Sequence, residues 1–337
     1  MGGAYRLDGG ASAWVPLTDM FGRGDASLTG VESIAPDPTD PNKVYAAVGT
    51  YAEAWAQSGA ILRSSDRGAS WQRTEMPIRM GANDNGRSIG ERLAIDPNKT
   101  DHLWFGSRKN GLWRSVDAGV TWNKVEAFPQ KDDPRGLGLG FVVFDAHSGV
   151  QGKASPTLYV GALSGEVGLY VTNDAGASFK PVPGQPARLV PSHAAFDSRG
   201  VLYVSYGNGP GPSDVSNGAV FKLDPAQGFV NITPLAPSAA DKFGYGGLGV
   251  DAQHPGTLLV TTIDRWTRGD EIFRSTDGGQ HWSALLGKSV RDTAGANYLY
   301  FGRNKLSPPN WMGDIEVESV RCGPRVARVG ARRLEQP

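Results

Sequence analysis

Ser64-Ser65-Asp66-Arg67-Gly68-Ala69-Ser70-Trp71 is a phrase that this chain repeats. It returns as Ser115-Val116-Asp117-Ala118-Gly119-Val120-Thr121-Trp122 and as Thr172-Asn173-Asp174-Ala175-Gly176-Ala177-Ser178-Phe179. A further copy is Ser275-Thr276-Asp277-Gly278-Gly279-Gln280-His281-Trp282, where His281 replaces the usual hydroxyl residue. Degenerate copies sit at Asp8 (YRLDGGASAW) and Asp224 (VFKLDPAQGF), and successive aspartates stand 50–58 residues apart. The constant parts suit a hairpin turn. The carboxylate accepts hydrogen bonds from turn N–H groups, the glycine takes a positive φ, and the aromatic packs between neighbouring units. A carboxylate held this way is committed, so Asp66, Asp117, Asp174 and Asp277 are read as structural.

A second phrase interleaves with the first: an apolar stretch ending in Asp, a turn, then a β-rich run. Examples are LAIDPNKTDHLWFGS, AAFDSRGVLYVSYG and LGVDAQHPGTLLVTT. Each period therefore holds about four short strands, and no long segment of helical periodicity interrupts them. Periods near fifty residues with four strands each indicate propeller blades. The expected fold is an all-β propeller with about six recognisable four-stranded units of a seven-bladed ring. Residues 1–318 would form one partial propeller, and 319–337 a divergent, disordered tail with five arginines.

The aspartate phrase resembles the Asp-box of sialidase-like propellers, which says little about function because unrelated proteins share it. The segments between the boxes are more specific. YRLDGGASAWVPLTD, VESIAPDPTDPNKVYAAVGTYAEAW, GAILRSSDRGASW, MGANDNGRSIGERLAIDP and GLWRSVDAGVTW follow one another, and FGYGGLGVD, FRSTDGGQHW and NWMGDIEVE come later in order. Over roughly residues 2–318 this run resembles glycoside hydrolase family 74, the xyloglucanases. The resemblance implies two propellers facing across an open cleft, and inverting hydrolysis of the β-1,4-glucan backbone of xyloglucan. Inversion needs an acid and a base about 6.5–9.5 Å apart, one from each propeller in this family.

The resemblance places the general-base aspartate immediately before Met1, since the chain opens MGGAYR where the family reads Thr-Asp-x-Gly-Gly-Ala-Tyr-Arg. It places the acid in the second propeller. The chain is accordingly expected to lack both and to be inactive by itself. Asp19, Asp84, Glu91, Asp264 and Asp314 lie in family-like loops, but no pairing singles one out as a substitute. The alternative is a non-catalytic propeller that binds polysaccharide or a protein partner. A sialidase is disfavoured, because no arginine cluster for a sugar carboxylate can be assembled from the sequence.

Sugar-binding clefts use aromatic platforms. Trp71, Trp122 and Trp282 belong to boxes, Trp14 to a degenerate one, and Trp104 and Trp113 to strands. Trp55, with Tyr51 beside it, Trp266 and Trp311 remain in loops, each either a ligand platform or a loop anchor. Asn83, Asp84 and Arg87 are candidate hydroxyl partners or loop scaffold.

Composition sets bounds on partners. Lys and Arg together number 34, as do Asp and Glu, so nothing in the balance favours nucleic acid or an anionic membrane. One cysteine, Cys322, excludes an internal disulfide framework, and the five histidines lack metal-ligand spacing, so no metal or cofactor is expected. The expected partners are xyloglucan or a related β-glucan and the second propeller. The family resemblance implies secretion, whereas the N-terminus shows no signal peptide and on its own reads as cytoplasmic.

Overall fold

The structure is a computed structural model that describes residues 3–9, 13–133, 136–163, 166–266, 269–285 and Ile315. Trp311, Asp314, Cys322 and the 319–337 tail lie outside the described residues. Among those described, the chain is almost entirely β. The helical segments among the described residues are two 3-10 turns, Arg23–Thr29 and Ala146–Ser148, and no helix among those residues is long and apolar enough to cross a membrane.

The strands come in order and pair with their sequence neighbours. β1 (Tyr5–Leu7) and β2 (Trp14–Pro16) form a two-stranded sheet. Blade 1 follows with β3 (Val31–Pro36), β4 (Val44–Val48), β5 (Ala60–Ser64) and β6 (Gln72–Glu75). Blade 2 has β7 (Leu93–Ile95), β8 (Leu103–Gly106), β9 (Leu112–Ser115) and β10 (Asn123–Lys124). Blade 3 has β11 (Leu139–Phe144), β12 (Leu158–Ala162), β13 (Leu169–Thr172) and β14 (Lys180–Pro181). Blade 4 has β15 (Val190–Phe196), β16 (Leu202–Gly207), β17 (Gly218–Asp224) and β18 (Gly228–Asn231). Blade 5 has β19 (Gly244–Val250), β20 (Leu258–Ile263), β21 (Ile272–Ser275) and β22 (Ser283–Ala284). Every pairing is antiparallel.

Five units are thus four-stranded, and the sixth contributes two strands among the described residues. The degenerate box at Asp8 lies in the turn between β1 and β2. The first strands of consecutive blades pack side by side, β3 on β7, β7 on β11, β11 on β15 and β15 on β19. The core lies between blades. Tyr45 and Ile61 of blade 1 meet Leu103, Phe105 and Trp113 of blade 2, and Tyr203 and Val220 of blade 4 meet Leu258 and Phe273 of blade 5. Trp104 and Trp113 are buried there, as interblade packing requires.

The boxes are the turns between third and fourth strands. Asp66 accepts hydrogen bonds from Ser64 Oγ at 2.8 Å, Ser70 N at 2.8 Å and Ser70 Oγ at 2.5 Å, while Ser64 Oγ accepts from Gly68 N at 2.7 Å. Asp117 and Asp174 repeat the pattern. In the last copy His281 Nδ1 stands 2.7 Å from Asp277, in the place of the hydroxyl. Each glycine has a positive φ, and so does the residue before it: Arg67 at 61°, Ala118 at 56°, Ala175 at 54° and Gly278 at 71°. The box aromatics reach back to the preceding unit. Trp71 Nε1 donates to Leu17 O and Trp282 Nε1 to Ile232 O, both at 2.8 Å, while Phe179 packs edge-on against Trp104.

Antiparallel order fixes which loops share a face. Turns between first and second strands, and between third and fourth, open on one face. Loops between second and third strands, and the links from blade to blade, open on the other. The box aspartates lie on the first face. So do the aspartates of the second phrase, such as Asp37, Asp96 and Asp197, whose carboxylates accept turn N–H groups at 2.8–3.2 Å. The opposite face carries the longer loops.

Candidate functional site

All the described loop candidates emerge on the long-loop face. Tyr51 and Trp55 lie between β4 and β5. Asn83, Asp84 and Arg87 lie in the link from β6 to β7, and Trp266 lies between β20 and β21.

The blade 1 group is built by pairing two loops. Ala82 N donates to Gly49 O at 3.0 Å and Asn83 N to Thr50 O at 2.9 Å, laying the blade link along the 49–52 segment. Asn83 Nδ2 then donates to Tyr51 Oη at 2.8 Å, and the Tyr51 ring leans on Trp55 with centroids 5.2 Å apart. Trp55 stays 72% exposed, so its indole is supported from below yet open to solvent. Asp84 accepts from Ala52 N at 2.8 Å, which commits one carboxylate oxygen to the loop pairing.

Beyond Asp84 the same link leaves its own blades. Gly86 N donates to Gly211 O of blade 4 at 2.8 Å, Gly90 N to Ser192 O at 3.2 Å, and Ser88 O lies 2.9 Å from His193 Nε2. Glu91 Oε1 stands 3.3 Å from His193 Nδ1. Both imidazole nitrogens therefore face acceptors, an arrangement that only the protonated ring satisfies fully. Surrounding protein pushes the Glu91 pKa up, but the charge and hydrogen bond of His193 outweigh this and hold it below the ordinary value.

Under this strap sits a buried charge cluster. Glu32 Oε1 accepts from Arg108 Nε and lies 3.5 Å from Arg92 Nε, and Glu32 Oε2 accepts from Gly81 N at 3.0 Å. All three charged side chains are about 1% exposed. Burial, with the like charge of Arg108, lowers the Arg92 pKa to about 9. Burial and Arg108 likewise lower that of Arg87, while Asp84 opposes. The structure therefore groups Asp84 and Arg87 with this cluster, and Asn83 with the Tyr51–Trp55 pair.

Trp266 stands on blade 5, apart from the blade 1 group, and is 56% exposed. Its Nε1 donates to Asp264 Oδ1, and Asp264 Oδ2 accepts from Val215 N at 2.8 Å. Beside it opens a cleft of about 550 Å³. Its walls are residues 213–216 between β16 and β17, Ala239, Ala240 and Lys242 ahead of β19, and Asp264 and Trp266 themselves. Arg265 braces two of these walls, binding Asp241 through Nε at 3.0 Å and Nη2 at 2.6 Å and lying 4.9 Å over the Phe243 ring. Asp214 and Lys242 were not legible as site residues in the sequence. GPGPSDVSNG reads only as a turn-rich loop, and its place beside Trp266 depends on two blades meeting.

No protein-family model matches the chain. It is 43% identical to a xyloglucanase of Paenibacillus sp across an alignment of 347 positions, covering 94% of this chain and 34% of that protein. The crystal structure of a GH74 xyloglucanase from Xanthomonas campestris superposes with a TM-score of 0.87 at 42% identity, over 94% of this chain and 46% of that one. A GH74 enzyme from Niastella koreensis gives a TM-score of 0.82 at 34% identity, with the same coverage of 94% and 46%. The chain thus spans less than half the length of these relatives.

Proposed function

From the premise that the chain belongs to glycoside hydrolase family 74, we propose that its long-loop face forms one wall of a xyloglucan-binding cleft in an enzyme that hydrolyses the β-1,4-glucan backbone with inversion. One observation carries this reading. Two indoles, Trp55 and Trp266, stand open to solvent on the face that is free of the structural aspartates, each held from behind by its own loop. Such rings offer flat apolar planes to the C–H faces of glucose units, while neighbouring polar groups meet the hydroxyls. The cleft beside Trp266 carries two carboxylates and one ammonium. That balance suits a neutral polysaccharide better than an anionic sugar.

The contribution of the described residues is to hold the glucan. Inversion needs a proton donor and a base about 6.5–9.5 Å apart. On this face Asp84, Glu91 and Asp264 are each already engaged by a backbone N–H, an imidazole or an indole. Asp19 is exposed after β2. None of the four has a pairing that assigns it a catalytic role. The second propeller is proposed as the opposite wall.

Titration calorimetry with a xyloglucan oligosaccharide tests the reading. Trp55→Ala and Trp266→Ala are each expected to weaken binding about tenfold, roughly 1.4 kcal/mol, with thermal midpoints unchanged. Unaltered affinity in both variants would remove the platforms from the cleft and sink the proposal.

A further inference from the structure

Resting on the reading of the cleft as a glucan site, we infer that Asp264 is a positioning residue that sets the spacing of one sugar subsite, and that Asp214 is its hydroxyl acceptor. The starting point is backbone conformation. Asp214 and Asp264 both hold φ near +65°, at 65° and 64°. An L residue there is strained, though aspartate tolerates it better than most. Strain of this kind persists where the surroundings over-determine it, as the box turns do for Arg67, Ala118 and Ala175. Here two such residues line the same cleft, from different blades.

Asp264 explains how they are linked. It is 8% exposed, and its two carboxylate oxygens act in different directions. Oδ1 accepts from the indole of Trp266, on its own loop, and Oδ2 accepts from the backbone of Val215, on the blade 4 loop. Val215 immediately follows Asp214. One side chain thus fixes the indole and the residue beside it in the facing loop to a common point. The indole loses its freedom to flip, because its N–H is held.

Asp214 completes the arrangement. Its side chain is exposed on the cleft wall, and its carboxylate makes no hydrogen bond among the described residues. A carboxylate accepts from neutral hydroxyls without needing a compensating cation, and charge-assisted hydrogen bonds are about twice as strong as neutral ones. A glucose unit stacked on Trp266 would present its ring-edge hydroxyls to a wall at fixed distance from the platform. The subsite is preorganised, so little ordering cost falls on binding.

The test is a set of variants titrated calorimetrically with a xyloglucan oligosaccharide of two repeating units. Asp214→Gly keeps the backbone conformation and removes the carboxylate, so affinity should fall about tenfold with the thermal midpoint unchanged. Asp214→Asn, which keeps a neutral acceptor, should lose less. Asp264→Asn cannot accept from both donors and should weaken binding at least as much as Asp214→Gly. In that background the further cost of Asp214→Gly should largely vanish, a coupling that a merely structural role for Asp264 would not produce. If Asp214→Gly binds like the unmodified chain while Trp266→Ala does not, the acceptor is wrong and the platform reading stands. If Asp214→Gly still costs tenfold beside Asp264→Asn, the linkage is wrong. If the unmodified chain binds no xyloglucan oligosaccharide, the underlying glucan reading falls, and this one with it.

Discussion

At the scale of single residues, the box reads directly from sequence because its chemistry is local. A hydroxyl two residues before the aspartate and another four after it both bond the same carboxylate, so the spacing alone specifies the turn. His281 keeps the pattern with a ring nitrogen in place of the hydroxyl. Gly176 shows how strict the remaining positions are. Its φ is 86°, and a Cβ there would stand 2.2 Å from Trp104 of the preceding blade. Gly176→Ala should therefore destabilise by about 2–4 kcal/mol, combining left-handed strain with overpacking. Thermal unfolding would read this as a clear drop in midpoint, and an unchanged midpoint would contradict the interblade contact. Asp214 is the opposite case. Nothing in its neighbours along the chain marks it, because its partners in the cleft come from loops some 25 and 50 positions later.

At the scale of elements, alternation and turns made the blades legible, and antiparallel order then separates the box turns from the long loops. The box turns should also leave a signature in acid. Asp66 and Asp174 are held at a pKa of about 2 chiefly by the hydroxyls of Ser70 and Ser178, and Asp277 at about 2 by the backbone N–H and ring of His281. Asp117 is lowered too, hydrogen bonds from Thr121 and Ser115 outweighing burial. These folded values lie below the free-aspartate value of 3.8. Their stabilisation is therefore complete above about pH 4 and is lost as pH falls towards 2. Asp174→Asn removes one such contribution. The gap in thermal midpoint between it and the unmodified chain should be widest above pH 4 and shrink towards pH 2. A gap independent of pH would show that the carboxylate charge does not carry the turn.

At the scale of the molecule, the phrase MGANDNGRSIGER turns out to do more than one thing. Its first part stands beside the Tyr51–Trp55 ring pair, which Asn83 bonds through Tyr51 Oη. Its second part crosses from blade 1 to blade 4, where Gly86 and Gly90 bond the backbone of Gly211 and Ser192. Sequence marked the phrase as specific but could not show the crossing, since blades 1 and 4 are brought together only by the curvature of the whole array. The strap rests on the cluster of Glu32, Arg92 and Arg108, in which one carboxylate from β3 serves two guanidinium groups and the backbone of Gly81. Replacing it with a neutral group leaves two buried cations facing each other. Breaking one partner of a buried ion pair costs about 3–5 kcal/mol, so Glu32→Gln should lower stability by that order. The loss should not stay local. Gly81 opens the strap, and Arg108 also donates to Asn85 O within it. Hydrogen exchange should therefore rise at Gly86 and Gly90, far from the substitution in sequence, while the box turn of blade 5, on the opposite face, keeps its protection. Uniform loss of protection across all blades would instead mean that the cluster supports the array as a whole and that the strap has no separate dependence on it.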